Sequence, residues 1–261
     1  MRAAFPASAA RRTSERRPLA GKTAPRPSAS WPAPPALTSW SVSVGCMFVK
    51  VCGLRTSADV ATAVAAGADA VGFVLAASPR QVTAADARRL AAGVPGSVLT
   101  VGVLAGIEAA GAARLAREAG VNAVQLHGRY PREAFAALAA EGMRLIRATP
   151  LEEGTELTVG AYGEELLLLD SPAAGSGQRW DLGRLRTSRP QGRWLLAGGL
   201  DPGNVGAAIA VARPWGVDVS SGVESARGVK DHGLIRAFVA AARAAGQPPG
   251  GRRGGHHQEE W

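Results

Sequence analysis

The sequence predicts a single compact (β/α)₈ barrel with irregular extensions at both ends, and three observations carry that prediction. Short apolar runs and Ala-rich helical stretches take turns along the chain, the signature of a parallel sheet with crossover helices. The apolar runs are near-continuous instead of alternating, as strands buried on both faces are. Eight such runs fit within about 200 residues, the size of a compact closed barrel.

Taken in order, the predicted strands are Phe48–Cys52, Ala70–Leu75, Val98–Leu104, Ala123–Leu126, Arg144–Ala148, Leu166–Asp170, Trp194–Ala197 and Val217–Ser220. The first three read as β-branched or apolar runs, and LLLL at Leu166–Leu169 is far too short to cross a membrane. Helices are predicted over Ser57–Ala66, Ala84–Ala92, Glu108–Ala119, Arg132–Ala140, Pro202–Ala212 and His232–Ala244. Two units are thin. After strand five, LEEGTELTVGAYGEE offers no good apolar face, so its helix is short or absent, and the helix after strand six, around Leu182–Leu185, is brief. The barrel unit is therefore 47–246.

Residues 1–46 are rich in Arg, Pro, Ser and Ala and lack an apolar period, so they cannot bury enough surface to offset their ordering entropy. Their composition weakly resembles that of an organelle transit segment. However, Met47 immediately precedes the first strand, and the favoured reading is an extension upstream of a start at Met47. The stretch 247–261 (QPPGGRRGGHHQEEW) is loop-like by its Gly and Pro content.

The formal charge of +9 suggests a nucleic-acid binder, but residues 1–46 supply +6 of it and 247–261 supply none, leaving +3 for the barrel. That excess suits a small anionic substrate. The basic residues form no stripe interleaved with aromatics, so neither nucleic acid nor membrane is expected as a partner. Two cysteines, Cys46 and Cys52, are too few for a disulfide framework and fit a reducing, cytoplasmic compartment. His127 and His232 stand apart and His256 and His257 lie in the tail, so no metal site is expected.

Barrel chemistry sits at the C-terminal strand ends. Strand one ends at Cys52. It reads equally as a thiolate at the mouth or as a small buried hydrophobe, and a base at neutral pH would need positive charge nearby. Strand six ends at Asp170. A carboxyl group there is costly unless it is paired or functional, and partial desolvation would raise its pKa and let it donate a proton; capping the SPAAGSG turn is the alternative. Arg80, after strand two, offers a fork suited to a carboxylate or else is a solvated loop residue. Strand seven ends in AGGL and strand eight in SSG. Paired Gly-rich turns at these two positions, around Gly198, Gly199, Ser221 and Gly222, are the usual barrel phosphate site. The residues alone thus suggest metal-free, cofactor-free proton-transfer isomerisation of a sugar phosphate.

These motifs resemble those of the phosphoribosylanthranilate isomerase family over about residues 47–244. VKVCGL at 49–54 is similar to the family's first-strand signature, GFVLAASPRQV at 72–82 to its second-strand loop, and QLHG at 125–128 to its fourth-strand end. LLLDS at 167–171 with GSGQRWD at 175–181 resembles the sixth-strand acid and its glycine loop. LAGGLDPGNV at 196–205, RPWGVDVSSGVE at 213–224 and GVKDHGLI at 228–235 resemble the phosphate turns and last helix. The resemblance implies an Amadori rearrangement in tryptophan biosynthesis. Cys52 would remove the sugar C2 proton and Asp170 would protonate the ring oxygen. Arg80 would hold the anthranilate carboxylate and Asp218 a sugar hydroxyl. His127 would line the site, which core packing explains as well, and the backbone at Gly198, Gly199, Ser221 and Gly222 would hold the phosphate. Monomer and homodimer both fit.

The sequence departs from the family pattern in two places. Ala174 stands where the sixth loop usually has a glycine, and Leu182 where an aromatic is common. Two other functions compete with this reading. One is another phosphate-binding barrel such as the histidine-pathway aminoaldose isomerase, although strand one ends in Cys52 and not an aspartate. The other is a non-catalytic barrel, against which the Cys52, Arg80, Asp170 and Asp218 set argues.

Overall fold

The structure is a computed structural model, and it describes residues 46–171, 182, 183, 185 and 189–246. Eight parallel strands close into a barrel in chain order: β1 (Phe48–Cys52), β2 (Ala70–Val74), β3 (Leu99–Leu104), β4 (Ala123–His127), β5 (Arg144–Pro150), β6 (Leu166–Asp170), β7 (Trp194–Leu196) and β8 (Gly216–Val219). Among the described residues, six α-helices surround it: α1 (Ser57–Ala65), α2 (Ala84–Ala91), α3 (Ala109–Ala119), α4 (Arg132–Ala140), α5 (Val205–Ala212) and α6 (His232–Gly246). The fold class is the predicted one, and no strand or helix end moves by more than three residues. The largest shift is at α5, which begins at Val205 and not at Pro202, because the turn Asp201–Asn204 closes first on its own side chains.

Local sequence explains the helix starts. Thr56 and Asp59 form a capping box at α1, in which the Thr56 hydroxyl accepts from the Asp59 N–H and the Asp59 carboxylate accepts from the Thr56 N–H. Thr83 caps α2 with its hydroxyl, which accepts from the Asp86 N–H and donates to the Asp86 carboxylate.

Strand periodicity divides the core in two. Val49 and Val51 of β1, Leu167 and Leu169 of β6, and Val217 and Val219 of β8 point outward into the shell shared with the helices. Phe48 and Cys52, Leu166 and Leu168, and Ala123 point into the barrel. Because successive strand residues face opposite sides, Lys50, Gln125, His127, Asp170, Asp218 and Ser220 share the inward phase. The interior is apolar at its floor, where Phe48 stacks on Trp215 with ring centroids 4.7 Å apart, and polar toward the C-terminal mouth.

The unit after β5 has no helix. Residues 151–165 run as turns, with Gly154, Gly160 and Gly163 at φ of 77°, 89° and 88°. Polar contacts cover the outer face of β5 in its place. Buried Arg147 donates to Glu164 Oε1 at 2.7 Å and to the Glu156 carbonyl at 2.9 Å, and its guanidinium lies 4.5 Å from the Tyr162 ring centroid. The brief helix expected near Leu182–Leu185 falls mostly outside the described residues, as do 1–45, Ala174 and 247–261. After β8, a 3₁₀ turn (Ser221–Val223) leads into an antiparallel hairpin, β9 (Glu224–Ala226) and β10 (Val229–Lys230), before α6 begins.

Candidate active site

Cys52 closes β1 at the barrel mouth and is 6% exposed. Its register partner on β2 is Gly72, where a Cβ would sit 2.8 Å from the Cys52 sulfur, so the missing side chain is what gives the thiol its room. Two residues earlier on the same inward face, Lys50 is fully buried. Its ammonium donates to Asp218 Oδ1 at 2.9 Å, directly across the β1–β8 register. Burial alone would push Lys50 toward neutrality, but the Asp218 carboxylate outweighs it and holds the lysine charged. Burial pushes the Cys52 thiol up, and the charges of Lys50 and Lys230 pull it the other way.

Asp170 ends β6, three strands round the ring from β1. Burial raises its pKa, opposed by His127 and by the Ser171 N–H, which donates to Asp170 Oδ1 at 2.7 Å. The Nε2 of half-buried His127 lies 3.9 Å from Asp170 Oδ2. A carboxyl group held above its usual range can carry a proton at a higher pH than an ordinary aspartate.

The two glycine turns follow on the same rim. Gly198 and Gly199 sit at φ of 84° and 66°, the left-handed region, and a Cβ on Gly198 would lie 2.4 Å from the Ser171 N and 2.7 Å from Asp170 Oδ1. The strand-seven turn is therefore packed against the strand-six acid, and only glycine fits. A Cβ on Gly222 would lie 1.8 Å from the Leu200 carbonyl oxygen, so the strand-eight turn, which begins at Ser221, is pressed onto the strand-seven turn. Asn204, the cap of α5, donates to the Gly199 carbonyl at 2.8 Å. A cleft of about 230 Å³ opens here between Gly198, Gly199, Asn204 and partly buried Leu182, one of the two positions that depart from the family pattern.

The structure thus brings Cys52, Asp170, His127, Asp218 and both glycine turns to one rim. Arg80 reaches the same rim with its stem over Gly53, where a Cβ would come 2.8 Å from the Arg80 Cδ. Arg80 is not a free loop residue. Its Nε and Nη2 donate to the two oxygens of Glu224 at 2.6 and 3.0 Å.

Four polar residues escaped the sequence reading. Lys50 was legible, because it shares strand phase with Cys52, two residues away. Buried Gln125, one inward step before His127, had the same signal; its Oε1 has no hydrogen-bond partner among the described residues. Glu224 and Lys230 carried no signal, since nothing local says that a hairpin after strand eight folds back over the loop after strand two. Against burial, which would raise it, the contacts from Arg80, Lys230 and the Gly228 N–H hold the Glu224 carboxyl down to about 2. Among the described residues, no group of three or more His, Cys, Asp or Glu side chains is placed to hold a metal ion.

Comparison with known proteins gives a consistent result. The family model described as N-(5'-phosphoribosyl)anthranilate (PRA) isomerase matches residues 49–241. An N-(5'-phosphoribosyl)anthranilate isomerase of Deinococcus radiodurans is 42% identical over 207 residues, covering 77% of this chain and 99% of the relative. The crystal structure of TrpF from Jonesia denitrificans superposes with a TM-score of 0.71 at 54% identity, covering 76% of this chain and 98% of its own. A third similar structure, with a TM-score of 0.65 at 35% identity over 76% of this chain and 99% of its own, is a phosphoribosyl anthranilate isomerase in complex with reduced 1-(o-carboxyphenylamino)-1-deoxyribulose 5-phosphate.

Proposed function

The chain belongs to the N-(5'-phosphoribosyl)anthranilate isomerase family of tryptophan biosynthesis, and from that premise we propose that Cys52 is the general base and Asp170 the general acid of its Amadori rearrangement. The observation that carries the assignment is the shared inward phase of β1 and β6, which ends a buried thiol and a buried carboxyl group on the rim that also holds the two glycine turns.

The steps follow from the proton inventory. Asp170, protonated, gives its proton to the furanose ring oxygen. The C1–O bond breaks as the anthranilate nitrogen lone pair forms the C1=N iminium. The Cys52 thiolate then takes the proton from C2, and the C–H electrons become the C1=C2 bond of an enolamine while the nitrogen regains its pair. Return of a proton to C1 and loss of the C2 hydroxyl proton give the ketone. No atom is gained or lost overall, and the substrate's own iminium is the electron sink, so the reaction is read as cofactor-free.

Binding follows the same rim. The substrate is a small phosphorylated molecule. The backbone at Gly198, Gly199, Ser221 and Gly222 is assigned to its phosphate, because glycine turns let N–H groups approach an oxyanion closely. Asp218, held by Lys50, is assigned to a sugar hydroxyl, His127 to the site wall beside Asp170, and Arg80 to the anthranilate carboxylate. Residues 47–246 are taken as the catalytic unit, acting as a monomer or homodimer without nucleic-acid or membrane partners. No helix among the described residues is long and apolar enough to cross a membrane. Two free thiols, exposed Cys46 and buried Cys52, favour a cytoplasmic setting.

The assignment is tested by following the loss of anthranilate-adduct fluorescence with freshly made substrate. Cys52→Ser is expected to lose most activity while keeping its fold, because a hydroxyl is a far weaker base than a thiolate. A folded Cys52→Ser protein that turns over near normally removes Cys52 from the mechanism.

A further inference from the structure

The loop after β2 and the hairpin after β8 are far apart in sequence, yet they share one buried charged cluster. Glu224 receives both the Nε and the Nη2 of Arg80, at 2.6 and 3.0 Å. It also receives the Lys230 ammonium at 2.9 Å and the Gly228 N–H at 3.0 Å. Lys230 continues inward, donating to the Ser220 carbonyl at 2.8 Å, and the Ser220 hydroxyl donates to the Cys52 carbonyl at 3.2 Å. Arg55 clasps the assembly from outside, donating to the carbonyls of Pro79 at 3.3 Å and Gly228 at 3.2 Å.

A guanidinium has two edges able to take a carboxylate in bidentate fashion: the side edge, Nε with Nη2, and the outer edge, Nη1 with Nη2. Glu224 fills the side edge. Among the described residues nothing accepts from Nη1 of Arg80. The arginine is therefore fixed in direction with its outer edge unspent. Pairing an arginine with one carboxylate ordinarily removes its pull on a second, because the pair is neutral. Lys230 changes that count: burial pulls its ammonium down and the Glu224 carboxylate beside it pulls it back up, and a charged Lys230 gives two cations to one anion, so the cluster keeps a net positive charge.

We propose that Glu224 and Lys230 are positioning residues for substrate recognition. Glu224 orients Arg80 so that only its outer edge meets the substrate's aromatic carboxylate, and Lys230 restores the positive charge that Glu224 would otherwise cancel. The inference rests on the assignment of Arg80 to that carboxylate.

Two substitutions separate this role from simpler ones, because they push the local charge in opposite directions. Lys230→Met lowers the cluster charge and leaves the Arg80–Glu224 clamp. Glu224→Gln raises the charge and loosens the clamp. The proposal expects both to raise KM for the substrate roughly ten-fold, the scale of one weakened charge-assisted contact. It also expects Glu224→Gln to leave kcat and the inhibition constant of inorganic phosphate within about two-fold, whereas Lys230→Met is read through KM, because Lys230 also donates to the Ser220 carbonyl and its charge acts on Cys52. Lys230→Arg should recover most of the lost affinity. In the double variant Arg80→Met/Lys230→Met, KM should rise no further than in Arg80→Met, because Lys230 acts through Arg80.

A KM that rises in Lys230→Met but falls in Glu224→Gln would mean a bulk electrostatic effect and overturn the proposal. Parallel loss of kcat and phosphate binding in Glu224→Gln, or failure of either variant to fold while Lys230→Arg shows no recovery, would reduce the cluster to a structural clasp. If Arg80→Met itself leaves KM unchanged, the carboxylate assignment falls and this proposal with it. If Arg80→Met raises KM while the other two do nothing, only this proposal falls.

Discussion

At the scale of single residues, environment sets chemical identity. Asp170 and Glu224 are both carboxyl groups on the same rim, but burial raises the pKa of one while two cations and an N–H hold the other down to about 2. Activity that needs Asp170 protonated and Cys52 ionised has two macroscopic limbs. With both pKa values raised, the rate should climb with pH as the thiolate forms and fall only once the supply of protonated Asp170 limits it. Asp170→Asn keeps the size of the side chain but cannot deliver a proton. It is expected to cost on the order of 10²–10⁴ in kcat and to abolish the falling high-pH limb, leaving a rate that only rises with pH. A pure turn cap behaves differently: asparagine caps as well as aspartate, so activity and Tm would both stay near normal, and measuring the two on one variant decides the matter. Lys50 makes a separate prediction. Lys50→Met strands a buried Asp218 and should destabilise the fold by roughly 3–5 kcal/mol, read by denaturant unfolding.

At the scale of elements, the most unusual unit is the one after β5. A barrel strand normally hides its outer face under a helix, but LEEGTELTVGAYGEE has no apolar stripe to offer. The chain covers the strand with buried Arg147, paired to Glu164, while Tyr162 packs edge-on to Phe135 at 5.6 Å and stacks on the guanidinium. Such a pair is fragile toward loss of one partner. Glu164→Ala is therefore expected to cost about 3–5 kcal/mol, far more than Glu165→Ala one residue on, whose exposed ion pair with Arg144 contributes at most about 1 kcal/mol. Equal costs for the two would mean that the β5 flank is held by packing alone. The glycine turns belong to this scale too. Gly198→Ala forces a Cβ against the Ser171 amide and the Asp170 carboxylate, so it should weaken inhibition by phosphate and lower kcat together.

At the scale of the whole molecule, the folded protein should be acid-sensitive through Glu224. Its folded pKa lies below its unfolded value, so its contribution is present above the ordinary glutamate range and is lost as pH falls toward 2. Glu224→Gln is expected to flatten the stability slope in that window, and an unchanged slope in thermal melts at pH 5 and pH 3 would refute it. A chain beginning at Met47 is expected to retain full activity, which a direct assay of the shortened protein checks. The sequence alone determined the number and order of strands, because burial on both faces writes continuous apolar runs. It also determined the strand-end residues Cys52 and Asp170 and the two glycine turns, because barrel chemistry gathers at those ends. Strand phase also contained Lys50, two residues from Cys52, although the sequence reading passed it over. Only tertiary structure decided the rest. The packing of Gly198 on Asp170 and of Gly222 on Leu200, the pairing of Arg147 with Glu164, and the hold of Glu224 and Lys230 on Arg80 all join residues whose partners lie on other segments. Local propensity acts over a few residues, whereas a buried charge takes whatever partner barrel closure brings within about 3 Å, and that partner is fixed by register and by the path of the connecting loops.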